Sequence, residues 1–144
     1  MGWENYHTFE FLKGTKRFGM IDEDFEDDEL LDAENFSLSQ VISQPKDKLR
    51  YAYDFGDDWE HDIIAEKFLP KEKEIKYPVC IDGARNCPPE DCGGIPGYDH
   101  LLKVLANKRS KEHKEMLEWV GGSFNPEHFD LPLVNESLED LTNE

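Results

Sequence analysis

From Leu49 to Ala65 the chain alternates apolar and polar residues around a Gly-Asp-Asp break, and no other feature constrains the fold as much. Leu49, Tyr51, Tyr53 and Phe55 share one face at a period of two residues, the side-chain period of an extended strand. Gly56-Asp57-Asp58 supplies the reversal. Trp59, His61, Ile63 and Ala65 then repeat the period on a return strand that runs to Phe68. A hairpin with an aromatic face must bury that face, so the chain needs a sheet and something packed on it.

Shorter strands precede the hairpin. Tyr6 to Leu12 places His7, Phe9 and Phe11 on one face, and Lys13-Gly14-Thr15 turns the chain into a strand over Lys16 to Ile21. Asp22 to Glu34 holds nine acidic residues and no basic one. Such a run repels itself and predicts an exposed loop, over about residues 22–36, with one helical turn at Leu30 and Leu31. Ser37 and Gln40 stand at capping-box spacing at the start of a short helix that Pro45 closes.

After the hairpin, Pro70 to Lys76 reads as a charged connector, Val79 to Ile81 as a short strand, and Asp82 to Gly97 as a Gly/Pro-rich loop. Two amphipathic helices follow. Tyr98, Leu101, Leu102 and Leu105 form the stripe of the first. The second is capped by Ser110, carries His113, Met116, Leu117 and Val120, and stops at Gly121-Gly122. About residues 131–144 read as an acidic tail. Strands early and helices late predict a single α+β domain over residues 1–144. Its expected architecture is an antiparallel sheet of short strands and hairpins, with the two C-terminal amphipathic helices packed against it.

Charge narrows the partners. Sixteen Lys and Arg face 33 Asp and Glu, a net charge of −17. That field opposes direct nucleic-acid binding and anionic membranes, because both require neutralisation by a basic surface. A local basic patch around Lys13, Lys16 and Arg17 is the exception. No apolar run approaches the ~18 residues of a membrane span. Three cysteines make no disulfide framework and the N-terminus has no secretory pattern, so a cytoplasmic location is expected.

Two constellations could carry chemistry. Asp54, Asp57, Asp58 and His61 surround the hairpin turn, where carboxylates and an imidazole could hold Mg²⁺ or Mn²⁺ or position a water. The structural alternative is an acidic hairpin tip, with Asp57 and Asp58 serving the turn and the alternation aiming Asp54, Glu60 and Asp62 at solvent. Cys80, Cys87 and Cys92 are the second set, with His100, or else Glu90 or Asp91, as a fourth ligand for zinc. Their gaps exceed the usual C-x2-4-C pairing, and free thiols also serve as small buried residues. The loop Pro88-Pro89-Glu90-Asp91-Cys92-Gly93-Gly94 lacks the lysine and spacing of a phosphate-binding loop. No cofactor is expected apart from that candidate zinc.

Tyr51-Ala52-Tyr53-Asp54-Phe55-Gly56-Asp57-Asp58-Trp59-Glu60-His61, then Cys87-Pro88-Pro89-Glu90-Asp91-Cys92-Gly93-Gly94 and Gly97-Tyr98, resemble the plasmid pRiA4b ORF-3-like family. Its members are also labelled insertion-element passenger proteins of the TnpR type. The resemblance runs from Gly2-Trp3 and Tyr6-His7 to Trp119 and Phe124-Asn125-Pro126-Glu127-His128-Phe129-Asp130. It implies the family fold and a mobile-element context. Family members usually carry a strand and a helix ahead of the Gly-Trp and Tyr-His segment. Their absence predicts an apolar edge that a homo-oligomer would cover. The TnpR label implies recombination, yet the sequence has neither a serine-recombinase nucleophile motif nor a basic DNA-binding region. The leading expectation is therefore a non-enzymatic accessory domain that presents an acidic face to a protein partner with a basic surface. The alternative is a metal-dependent phosphoesterase, nuclease-like, built on Asp54, Asp57, Asp58 and His61.

Overall fold

The computed structural model describes residues 1–21 and 27–140, which gather into two compact units. One unit spans Asn5–Pro70; the other combines Met1–Glu4 with Lys71–Glu144. The first contains a five-stranded sheet with strands β1 (Phe9–Lys13), β2 (Lys16–Gly19), β3 (Leu30–Asp32), β4 (Lys48–Tyr53) and β5 (Trp59–Ile64). Their order is β3-β2-β1-β4-β5. A 3-10 turn (Ala33–Asn35) and the short helix α1 (Leu38–Val41) lie between β3 and β4. The second unit contains α2 (Gly94–Ala106), α3 (His113–Trp119) and α4 (Leu131–Asp140). The architecture is α+β, with five strands and four α-helices among the described residues.

The aromatic alternation sets the register. Phe9 and Phe11 on β1 stand opposite Tyr53 and Tyr51 on β4, and these stand opposite Trp59 and His61 on β5. All six share one face because cross-strand partners point the same way. Phe11 stacks on Tyr51 at 4.8 Å, and the Tyr51 and His61 rings lie 5.1 Å apart. Leu49, Tyr51 and Tyr53 are buried, with Phe18 and Ile42, and form the core of this unit. Arg50–Glu60 and Lys48–Asp62 pair on the opposite, exposed face.

Several expectations are corrected. The sheet is mixed rather than antiparallel, because β2 and β3 run parallel, with Arg17 beside Leu30 and Phe18 beside Leu31. Leu30 and Leu31 thus form a strand and not a helical turn. A two-leucine run is too short for its period to decide. Gly19 permits the close approach: a β-carbon there would lie 2.9 Å from the Phe9 carbonyl oxygen and 3.3 Å from Leu30. The acidic loop assigned to residues 22–36 falls partly outside the described residues, and its second half is strand and 3-10 turn.

β1 begins at Phe9, so His7 precedes the strand. β4 ends before Phe55, which is 58% exposed instead of joining the aromatic face. Asp54 takes a left-handed φ of 57° and turns the chain there, so the alternation cannot continue. Likewise β5 stops at Ile64, short of Phe68. Val79 to Ile81 forms no strand.

In the second unit three helices stand where two were expected. The stripe on α2 is as read, with Leu101 fully inside and Val104 added to it. The helix starts at Gly94, so the Gly/Pro loop ends earlier than Gly97; Pro96 is tolerated because the first turn needs no donor from it. The acidic tail is largely α4. Asp130 Oδ1 accepts from the Leu133 amide at 3.0 Å, capping a helix whose Leu131, Val134 and Leu138 are its less exposed apolar side. Gly121 and Gly122, at φ 78° and 92°, end α3 as the sequence suggests.

Two local devices fasten the sheet unit. The Ser37 amide donates to Gln40 Oε1 at 2.7 Å, which is the reach-back half of the capping box. Asp47 accepts from the Ser43 and Gln44 amides at 2.9 and 3.2 Å and pairs with Lys13 at 3.0 Å. The Ser43 amide first, and then Lys13, hold its carboxyl down at about 2. A depressed folded-state value means that this stabilisation is complete above the ordinary value of 3.8 and is lost as pH falls through about 2. Acid unfolding of Asp47→Asn is therefore expected to show a shallower stability loss than the parent between pH 4 and 2, measured by urea melts at stepped pH.

Candidate functional site

The hairpin tip is built by Asp54. Its amide still donates to the Thr8 carbonyl at 2.8 Å, but its φ turns positive and its side chain then closes the turn. Asp54 Oδ1 accepts from the Gly56 amide at 2.9 Å and the Asp57 amide at 3.3 Å, while the Asp58 amide donates to the Asp54 carbonyl at 2.6 Å. Aspartate suits this place because its short side chain binds the backbone two residues on and tolerates left-handed φ. Asp58 itself sits at φ 55°. Asp54 Oδ2 lies 3.7 Å from His7 Nε2, and Asp54 is buried. His61 Nδ1 lies 3.0 Å from the Tyr51 carbonyl on the neighbouring strand. Asp54, Asp57, Asp58 and His61 do not bring three ligand atoms within 4.8 Å of one another. The turn reading fits these contacts, and the metal-enzyme alternative finds no support in them.

The cysteines sit in the helical unit. Cys80 is fixed through its backbone: its amide donates to Asn135 Oδ1 at 2.7 Å, and Asn135 Nδ2 returns a bond to the Cys80 carbonyl at 2.9 Å. Its thiol donates to the Asp82 carbonyl at 3.3 Å. Cys87 packs on Gly2, where an added β-carbon would lie 2.7 Å from the Cys87 β-carbon. Burial above all pushes the Cys87 thiol up to about 11, and the nearby Glu90 and Cys92 act in the same direction. A thiol in that state is a poor nucleophile at neutral pH. His100 is exposed, with Nε2 3.6 Å from Glu112 Oε2. Cys80, Cys87, Cys92 and His100 likewise bring no three ligand atoms within 4.8 Å.

Two of the three cations of the basic patch are engaged by the chain's own carboxylates. Arg17 donates to Glu10 Oε2 from Nε and Nη2 at 2.9 and 2.6 Å, and to Asp27 Oδ2 from Nη1 at 2.8 Å. The Glu10 hydrogen bonds, then those to Asp27, hold the guanidinium firmly charged. Lys13 is engaged by Asp47. Lys16 has no ion-pair partner among the described residues.

The reverse holds in the helical unit. No Lys or Arg follows Lys114, and Glu115, Glu118, Glu127, Asp130, Glu136, Glu139 and Asp140 are all exposed. Of these, Glu118 lies 3.7 Å from Lys114 and Glu127 lies 3.1 Å from Arg85. Both pairs are exposed and contribute little. The missing cations were legible in the sequence. The helical form of α4, and with it Asn135, was missed; the Asp130 cap, Pro132 in the first turn and the Leu131, Val134, Leu138 spacing were the available signals.

A mixed sheet with an aromatic face, a hairpin closed by an aspartate, and a helical unit entered through a Cys-Pro-Gly loop define an α+β class of protein. The family model of the plasmid pRiA4b ORF-3-like proteins matches residues 1–132, and the chain belongs to that family. It is similar to the uncharacterized protein y4hQ of Sinorhizobium fredii (strain NBRC 101917 / NGR234), 36% identical over 143 residues, covering 98% of this chain and 73% of that protein. It is also similar to the crystal structure of a protein of unknown function, MM3350 of Methanosarcina mazei Go1. That match is 33% identical with a TM-score of 0.78, covering 90% of this chain and 74% of the other. No helix among the described residues is long and apolar enough to cross a membrane.

Proposed function

We propose that this chain is a non-enzymatic binding module whose helical unit offers an acidic surface to a protein partner with a basic one. One observation carries the reading. The stretch from Glu115 to Asp140 places seven exposed carboxylates on α3, α4 and their connection with no Lys or Arg among them. Such a one-signed surface steers an oppositely charged partner and repels phosphate backbones. The engagement of Lys13 and Arg17 by Asp47, Glu10 and Asp27 supports the same direction.

The test titrates the full chain with an unstructured Arg/Lys-rich peptide at several salt concentrations, with duplex DNA as a parallel ligand. Binding that weakens steadily with salt, and none to DNA, is the expected result. Neutralising Glu118, Glu136, Glu139 and Asp140 to their amides should weaken peptide binding about tenfold. The same charge change at Glu29, Glu34, Glu66 and Glu74 should have a clearly smaller effect. Equal effects from the two sets, or salt-independent affinity, would refute a dedicated acidic surface.

A further inference from the structure

Within the helical unit, a cavity of about 280 Å³ opens between the start of α2 and the end of α3, and its lining is unlike the rest of the acidic surface. Leu101, Met116 and Trp119 supply apolar walls, and Asp91 and Glu115 stand on the same cavity. Helix geometry explains the grouping. Glu115 and Trp119 are four residues apart on α3 and so lie one above the other on one face. Cys92 and Gly97 bring the loop before α2 alongside, which places Asp91 at the rim. Trp119 remains 49% exposed, although a ring of that size is normally well covered in a settled core.

We propose that this cavity receives an arginine side chain from the basic partner, and this rests on the binding-module reading above. Size comes first. Ligand pockets for drug-sized molecules run from roughly 300 to 1,000 Å³, so a space of about 280 Å³ suits one long side chain better than a free metabolite. Charge comes second. Two carboxylates and no Lys or Arg line the cavity, and His100, its remaining titratable wall besides Cys92, faces Glu112 at 3.6 Å. A cation is the matching charge. Shape decides between the two common cations. A guanidinium is planar and weakly hydrated, stacks on an indole face and can pair in a fork with one carboxylate such as Glu115, whereas an ammonium is a compact, strongly hydrated point charge. Leu101 and Met116 then cover the methylene stem, as apolar surface does for long cationic side chains.

The experiment follows the Trp119 indole N–H resonance of the full ¹⁵N-labelled chain. Three peptides of identical sequence are titrated, differing at one central position that is arginine, lysine or the neutral isostere citrulline. The arginine peptide is expected to shift the Trp119 resonance saturably and to bind at least fivefold more tightly than the other two. Trp119→Ala and, separately, Glu115→Gln should each remove most of that preference; Glu115 is exposed, so its variant does not depend on refolding a core. If all three peptides bind alike, or if both variants keep the arginine preference, the cavity assignment is wrong while salt-dependent binding leaves the acidic module standing. If no basic peptide binds at low salt, both readings fall together.

Discussion

Replacing Tyr53 with alanine is expected to destabilise the chain by about 3–5 kcal/mol, the range for truncating a large buried aromatic ring. Tyr53 is 0% exposed, lies opposite Phe9 on one side and Trp59 on the other, and has its ring 5.9 Å from His7 and 6.3 Å from Tyr51. Removing it empties the centre of the aromatic face, and its cross-strand neighbours are held by ladder hydrogen bonds that limit collapse into the gap. Domains of this kind are stable by about 5–15 kcal/mol in total, so the loss is a large share. In urea, with slopes of about 1–3 kcal/mol per molar, the midpoint should fall by at least 1 M. Phe55→Ala is the contrast: the same alternation, two residues on, but 58% exposed, and expected within about 0.5 kcal/mol of the parent. Equal midpoints for the two variants would mean that the aromatic face is not the core.

The second large effect is expected at Gly97. A β-carbon there would collide with the carbonyl oxygen of Cys92. That oxygen belongs to the backbone, so no rotamer change relieves the contact. The loop is also pinned, with Gly93 at φ 89° and the Gly97 amide donating to the Gly93 carbonyl at 3.1 Å. Gly97→Ala should therefore unseat the Cys92–Gly94 turn or the first turn of α2, at about 3 kcal/mol, the upper end of ordinary overpacking. Ile95→Ala, in the same turn but 69% exposed, should be nearly silent. Urea melts followed by helical circular dichroism separate the two. A parent-like midpoint for Gly97→Ala would show that the loop does not lie against the helix. The same variant should also disturb the arginine cavity, because Cys92 and Gly97 form one of its walls.

The parts of this protein that were legible beforehand are those whose physics is periodic or local. The hairpin could be read because Tyr51 and Tyr53 repeat at the strand period, and α2 because Leu101, Leu102 and Leu105 repeat at the helix period. The Gly121-Gly122 stop and the Ser37–Gln40 box depend on neighbours a few residues away. Leu30 and Leu31 could not be read, since their strand is made by pairing with Arg17 and Phe18 from an earlier segment. Phe55 was misplaced because the alternation says nothing about a left-handed residue at Asp54 that interrupts it. Asp54 was read either as a metal ligand or as a solvent-facing strand residue, and its neighbours alone could not reveal the buried, turn-closing acceptor that it is.

By itself the sequence determined the aromatic face, the acidity, the family and the absence of cations beyond Lys114, because each is a property of residue identity or spacing along the chain. Only the tertiary structure decided that Leu30–Asp32 joins the sheet in parallel, and that Asp54 closes the hairpin turn while His61 lies on β5 against Tyr51. It also decided that Glu115 and Trp119 line one cavity with Asp91. Those facts depend on which distant segments meet, and that is chosen by the packing of the whole unit and not by local preference.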